Sequence, residues 1–434
     1  MNRLGHLLSR LLPALALGTL VSCGGGGGGN GDTPQPNAPT ISQLSFSPQA
    51  AYVSSMPLDF SGQFEFADVD GNLATATLTI TDAAGATVST ETLTIGDVAG
   101  STRGTIQGRV TAMVPQAGAY TLRIFVTDAA GLRSNVLTGA VRIADFPWVR
   151  KTAGPTAREH AAVAALNGRL YVLGGQRTDT GTIPGPATNA VEIYDPASDR
   201  WTSGPPLPTA RMGLVAAVLN GKLYAIGGRT DGFSTSAVGT VEVFDPATQA
   251  WTTRNPMSQP RHFAAGAALG GTILVAGGER ETNVLNAVEA YDPLTNAWSL
   301  RATLPVARSQ LGAAVADGRL HAIGGHAGVQ AQWVGTVEAF DPATGLWSAR
   351  APMPTARAHA AVAQAGGLLW VAGGENVARS LDQLESFDPL ANAWRTRTPS
   401  PVPFTRAAAD VVNNKLYIFG NGLTLAYDPA NEIR

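Results

Sequence analysis

Residues 158–175 read REHAAVAALNGRLYVLGG, and residues 190–201 read AVEIYDPASDRW. The apolar run from His160 to Leu166 meets Asn167-Gly168, a pair suited to a two-residue hairpin because both positions tolerate positive φ. Arg169 to Leu173 then reads as a second strand that stops at Gly174-Gly175, where missing side chains let another backbone or a ring approach. Ala190 to Tyr194 reads as a third strand. Asp195-Pro196 ends it, because proline removes a ladder donor and aspartate closes an Asx turn. Trp201 falls on a fourth.

The same unit recurs. Glycine pairs stand at Gly174, Gly227, Gly277, Gly324 and Gly373, with Gly420-Asn421 as a degenerate sixth. Tryptophans stand at 148, 201, 251, 298, 347 and 394, and both series step by 53, 50, 47, 49 and 47 residues. An arginine precedes each full glycine pair by 16 residues (Arg158, Arg211, Arg261, Arg308, Arg357), and Arg406 precedes the degenerate pair by 14. An aromatic-Asp-Pro triplet closes each third segment, from Tyr194-Asp195-Pro196 to Tyr427-Asp428-Pro429. Four features repeated in one order over residues 146–430 resemble the kelch repeat, which implies four-stranded blades of a β-propeller. The expected fold class is all-β: an N-terminal Ig-like β-sandwich followed by a six-bladed kelch propeller at 146–434. Trp148 has no strands before it, and Tyr427-Asp428-Pro429 has no tryptophan strand after it. The segment 146–151 is therefore expected to complete the last blade.

Residues 40–145 lack these features. They alternate with period two, as in Leu58 to Phe66, Ala74 to Ile80 and Tyr120 to Val126, between turn signals at Asp70-Gly71-Asn72, Ala84-Gly85 and Ala130-Gly131. Short alternating strands at this spacing suggest an immunoglobulin-like or fibronectin-like sandwich. Its Thr81–Gly85 and Thr127–Gly131 segments resemble those of bacterial surface Ig-like modules. Asp68-Val69-Asp70-Gly71-Asn72 invites a calcium reading, but the twelve-position calcium loop is incomplete and turn chemistry explains the residues without a metal. No metal or cofactor is assigned.

Ahead of this, Arg3 and Arg10 precede an apolar run, Leu11 to Val21, too short to span a bilayer. With Leu20-Val21-Ser22-Cys23 it resembles a lipoprotein signal peptide, residues 1–22, cut before an acylated Cys23. The resemblance implies a lipid-anchored protein of the cell envelope. Gly24, where sorting rules place Asp for retention, points to the outer membrane. Residues 23–39, rich in glycine and proline, form a flexible tether. Charged residues are 14% of the chain and the net charge is −2, with no basic footprint for nucleic acid.

Repetition also filters function. The six arginines, and the glutamates three residues before each Asp of an Asp-Pro pair (Glu192, Glu242, Glu289, Glu338, Glu385, with Leu425 breaking the series), recur and read as scaffold, possible partners of one another. His321 fills the slot held by Tyr171 and Trp370 in other units, so it reads as core. Two registers vary. One follows the glycine pair and the other follows the repeat arginine, as in Glu159-His160, Ser309-Gln310 and Ala358-His359. They supply the candidate ligand-binding residues Glu159, His160, Arg229, His262, Glu279, Ser309, His326 and Glu375. Trp333, outside both recurring tryptophan positions, joins them as a planar ring for a sugar or a protein. In kelch propellers these loops gather around the central opening.

The expected role is binding of a glycan or an envelope protein, not catalysis. The alternatives are a carbohydrate-active enzyme and a structural envelope scaffold. Galactose oxidase, which resembles the chain in its blades, needs a Tyr–Cys cross-link, and Cys23 is the sole cysteine. A sialic-acid-epimerase-like isomerase would need an acid and a base in one cleft.

Overall fold

The computed structural model describes residues 37–433 apart from 55, 97, 99, 182–184, 232–236, 282, 329–331 and 421. The expected signal peptide, Cys23 and the tether up to residue 36 lie outside the described residues. The chain divides into two units, Met1–Phe146 with Ile433–Arg434, and Pro147–Glu432. Strands dominate both. The only helical element among the described residues is a single 3-10 turn, Pro429–Asn431.

The first unit holds β1 (Thr40–Ser47), β2 (Ala50–Tyr52), β3 (Leu58–Ala67), β4 (Leu73–Thr81), β5 (Thr87–Thr94), β6 (Arg103–Ala112), β7 (Gly118–Asp128) and β8 (Leu137–Ala144). They form two sheets, ordered β1-β3-β6 and β2-β8-β7-β4-β5. Alternation decides which residues face inward: along β7, Tyr120, Leu122, Ile124 and Val126 are buried while Arg123 is exposed. Ile41, Phe64, Phe66 and Ile106 of one sheet share a core with Ala76, Ile124 and Val126 of the other. Phe146, expected to open the propeller, belongs to this unit, where it meets Tyr52 edge-on at 5.5 Å.

The second unit is built from six four-stranded antiparallel sheets, each numbered here as a blade. Blade 1 runs Ala162–Leu166, Arg169–Leu173, Val191–Asp195 and Arg200–Ser203 from the inside out. Asn167 and Gly168 both have positive φ, 52° and 74°, as a primed hairpin turn requires. The innermost strands of the six blades touch their neighbours in chain order, and the sixth touches the first, so the ring is closed. In blade 6 the strands Ala408–Val412, Lys415–Gly420 and Leu423–Tyr427 come from the end of the chain, and Trp148–Arg150 adds the outer one.

Neighbouring blades are stitched at the glycine pairs. The second glycine donates its N–H to the carbonyl of the next blade's repeat arginine, as Gly175 does to Arg211 and Gly325 to Arg357, both at 2.9 Å. Gly174 sits at φ 57°, and a Cβ there would lie 2.3 Å from the Arg211 carbonyl oxygen, so only glycine fits. In the fifth blade the same bond runs from Gly374 to Phe404. Phe404, not Arg406, therefore holds the arginine position of blade 6.

The recurrent arginines and glutamates pair within each of the first five blades: Arg158–Glu192 at 2.9 Å, Arg211–Glu242 at 2.7 Å, Arg308–Glu338 at 2.7 Å, Arg357–Glu385 at 2.6 Å, and Arg261–Glu289. All ten side chains are buried. Arg211 also donates to the carbonyls of Ala225, Gly227 and Thr240. These bonds compensate for removing the guanidinium from water. Blade 6 replaces the pair with Phe404 and Leu425, both in one apolar cluster.

Candidate functional site

At one end of the propeller each inner strand begins and each second strand ends. There the two variable registers pair with each other in five blades: Glu159 with Gln176, Met212 with Arg229, His262 with Glu279, Ser309 with His326, and Ala358 with Glu375. The sequence shows two separate sets of loops; the fold pairs them in short ladders or single bridges around one opening.

The next residue in each blade turns inward. His160, Gly213, Phe263, Gln310, His359 and Arg406 all have φ between 52° and 62°. Each N–H donates to the carbonyl of its counterpart one blade earlier: Gly213 to His160, Phe263 to Gly213, Gln310 to Phe263, His359 to Gln310, Arg406 to His359 and His160 to Arg406, at 2.8–3.1 Å. The six residues thus close a ring of main-chain hydrogen bonds around the axis. Five of them are not glycine and hold a conformation that costs roughly 1–2 kcal/mol per residue. The ring bonds and the packing of six blades impose it. Such imposed strain is concentrated in proteins where side chains must be aimed.

The ring lines a cavity of about 120 Å³, and the alanine-rich inner strands line a channel of about 420 Å³. Inside the mouth, the His160 ring packs at a tilt against Phe263 and His359, with ring centres 4.8 Å and 5.1 Å apart. His262 meets Phe263 edge-on at 4.7 Å, and the Arg229 guanidinium lies 5.2 Å over the Phe263 ring. Trp333 pairs with His326 across a two-residue ladder, and the rings touch edge-on at 4.7 Å.

The charges interlock. Arg406 reaches Glu159 at 3.1 Å and Glu375 at 3.8 Å. Glu375 also accepts from the Thr405 hydroxyl at 3.2 Å. Glu279 accepts from the Ser309 hydroxyl and from Gln310 Nε2. The imidazoles are held neutral. Burial lowers His160 to about 3, with Arg406, Arg229 and His262 adding repulsion. Burial and Arg229 lower His262 to about 4. Burial also lowers His326 and His359, with Glu375 partly opposing the shift at His326. Neutral imidazoles beside paired carboxylates and two arginines offer donors, acceptors and ring faces in one small opening.

All nine candidate residues read from the sequence, Glu159, His160, Arg229, His262, Glu279, Ser309, His326, Trp333 and Glu375, stand at this mouth. The sequence reading did not select Phe263, Gln310 or His359, and it assigned Arg406 to the scaffold. Arg406 belongs to the ring and not to the scaffold arginines, two residues beyond their slot. The signal was available, because a spacing of 16 before Gly420 falls on Phe404. His321 is fully buried and bonded to Asp317 at 2.8 Å, as a core residue. Among the described residues no group of three or more His, Cys, Asp or Glu side chains is arranged to hold a metal.

Comparison with known proteins bears on the fold. Residues 157–208 and 210–258 match the Kelch motif, and residues 253–421 match the KLHDC2/KLHL20/DRC7 Kelch-repeats domain. An F-box/kelch-repeat protein of Arabidopsis thaliana is 38% identical over 84 residues, 19% of this chain and 21% of the relative. Beta-scruin of Limulus polyphemus is 34% identical over 94 residues, 22% of this chain and 10% of the relative. The matched stretches thus span about a fifth and a tenth of those relatives' lengths. The solved structure of YjhT superposes with a TM-score of 0.53 at 16% identity, covering 64% of this chain and 95% of that one, a likeness of fold. Repeat pattern, blade architecture and matched families agree that residues 147–432 form a kelch β-propeller.

Proposed function

We propose that the protein is a binding module of the cell envelope, whose propeller mouth receives a glycan or a loop of a partner protein. One observation carries this reading: the fold gathers the residues that vary between otherwise repeating blades at a single mouth, around a strained ring that aims their side chains. Aromatic faces at Phe263 and Trp333, guanidinium groups at Arg229 and Arg406, and neutral imidazoles at His160, His262 and His359 are the groups that recognise ring-shaped polar ligands and protein side chains. On this reading Cys23 carries the lipid anchor, in the outer membrane. The two-sheet unit then acts as an immunoglobulin-like spacer.

An enzyme acting on carbohydrate is the second reading. The pair favouring it is His359 Nε2 and Glu375 Oε1, 3.7 Å apart, a neutral base beside a carboxylate at the mouth.

A thermal-shift screen of the chain against a broad sugar panel that includes sialic acids tests both. A ligand at 100 times its dissociation constant adds about 2.7 kcal/mol of stability. A shift in the wild type that is lost in Trp333→Ala and Arg406→Ala supports the mouth. Turnover of the same sugar, abolished in Glu375→Gln, would favour the enzyme. A shift that survives both mouth substitutions would refute the proposed site.

A further inference from the structure

We infer that the first unit holds a divalent cation, calcium by its donor set, between Asp68, Asn72 and Asp128. The three residues belong to two adjacent turns at one end of the two sheets. Leu73 is the strand partner of Asp128, and Ala129 N–H donates to the Asn72 carbonyl at 2.9 Å, so the two turns lie side by side. One oxygen of each carboxylate shapes its own turn: Asp68 Oδ2 accepts from Asn72 N and Asp128 Oδ1 accepts from Leu132 N, both at 2.8 Å. The other oxygens, Asp68 Oδ1 and Asp128 Oδ2, have no hydrogen-bond partner and no contact with water, and neither has Asn72 Oδ1.

Asp68 is 1% exposed and Asp128 3% exposed. Neither forms an ion pair with a described Lys, Arg or His. Two buried carboxylates with an unmatched oxygen each are strongly unfavourable unless a cation completes them. Two carboxylates and one amide, all oxygen donors on turns that can adjust, suit calcium; magnesium demands stricter octahedral geometry and keeps more of its water.

An internal comparison supports the assignment. Thr81-Asp82-Ala83-Ala84-Gly85 repeats the pentapeptide of Thr127–Gly131. Asp82 Oδ1 accepts from Ala84 N and Ala86 N, but Asp82 is only half-buried and leaves no buried oxygen unmatched. The same turn thus occurs with and without the orphaned oxygens, and only the one beside Asp68 and Asn72 has them.

The test is calorimetry of the full chain, stripped with chelator and then titrated with calcium chloride. Scanning calorimetry reads the first unit directly; tryptophan emission would not, since all eight tryptophans lie between 148 and 394. Sites of this charge bind at about 10⁻⁴–10⁻³ M. The expected results are saturable binding and a rise of more than about 5 °C in one transition at 10 mM calcium. Asp128→Asn and Asn72→Ala should abolish both, and Asp82→Asn should keep both. Asn72→Ala leaves the main-chain bonds in place, so the test holds even if Asp128→Asn folds poorly. No binding of calcium, magnesium or manganese by the wild type would overturn the inference, as would an undiminished response in Asn72→Ala and Asp128→Asn.

Discussion

At the scale of single residues, the propeller carries its own substitution experiment. Five blades bury an Arg–Glu pair and the sixth buries Phe404 and Leu425 in its place. Removing one partner leaves a buried charge unmatched, whereas replacing both with apolar groups is often neutral. Arg261→Phe alone is expected to cost about 3–5 kcal/mol in denaturant unfolding, and Arg261→Phe with Glu289→Leu to recover most of it. A double variant as unstable as the single one would show that the pair is needed for more than charge balance. The histidines add a pH dependence. His262 is lowered from its ordinary value to about 4, so protons bind the unfolded chain first. The stability it contributes is complete above pH 6.5 and is lost as pH falls from there towards 4. Between pH 7.5 and 5 this amounts to roughly 1–2 kcal/mol. His262→Gln should remove this share and make the unfolding midpoint less steep across that range, leaving the part that His160, His326 and His359 contribute. The sequence made the paired residues visible by repetition. It concealed the left-handed ring, because backbone conformation at His160 or Gln310 leaves no mark on residue type; only Gly213 hints at it.

At the scale of elements, turns were the most legible feature. Asn167-Gly168, the glycine pairs and the Asp-Pro steps each follow from backbone geometry that few residues satisfy, so strand ends could be placed from local sequence. The tryptophans were less so. Their spacing marks a recurrent slot on the outer strand but not its depth: Trp201, Trp251, Trp298, Trp347 and Trp394 are only half-buried. Each donates its indole N–H to a carbonyl on the stretch leading out of the preceding blade, as Trp251 does to Pro205 and Trp394 to Ala351. Trp148 differs. It is buried, packs at a tilt against Tyr427 with ring centres 5.0 Å apart and donates to the Thr398 carbonyl, on the strand that completes blade 6. Trp148→Ala is therefore expected to cost about 3–5 kcal/mol, and Trp251→Ala roughly half of that. Equal losses would mean that burial does not set the contribution of these rings.

At the scale of the whole molecule, periodicity revealed the propeller because every blade solves the same packing problem with the same residues. The ligand left no such trace. Recognition depends on positions that escape the repeat, and a residue that occurs once carries no pattern to read. The filter of repetition picks nine residues that the fold gathers at one end of the propeller; it passes over Phe263, Gln310 and His359, and it misplaces Arg406, where the last unit drifts from the common spacing. The central claim is that the partner meets the mouth and not the outer rims of the blades. Photo-cross-linking in intact cells tests it directly, with a photoreactive side chain at the half-buried Trp333 on the mouth or at Leu300 on an outer strand, which is 64% exposed. The account predicts a discrete adduct from position 333 that Arg406→Ala removes, and none from position 300. A discrete adduct from position 300 alone would contradict it and make the propeller a scaffold.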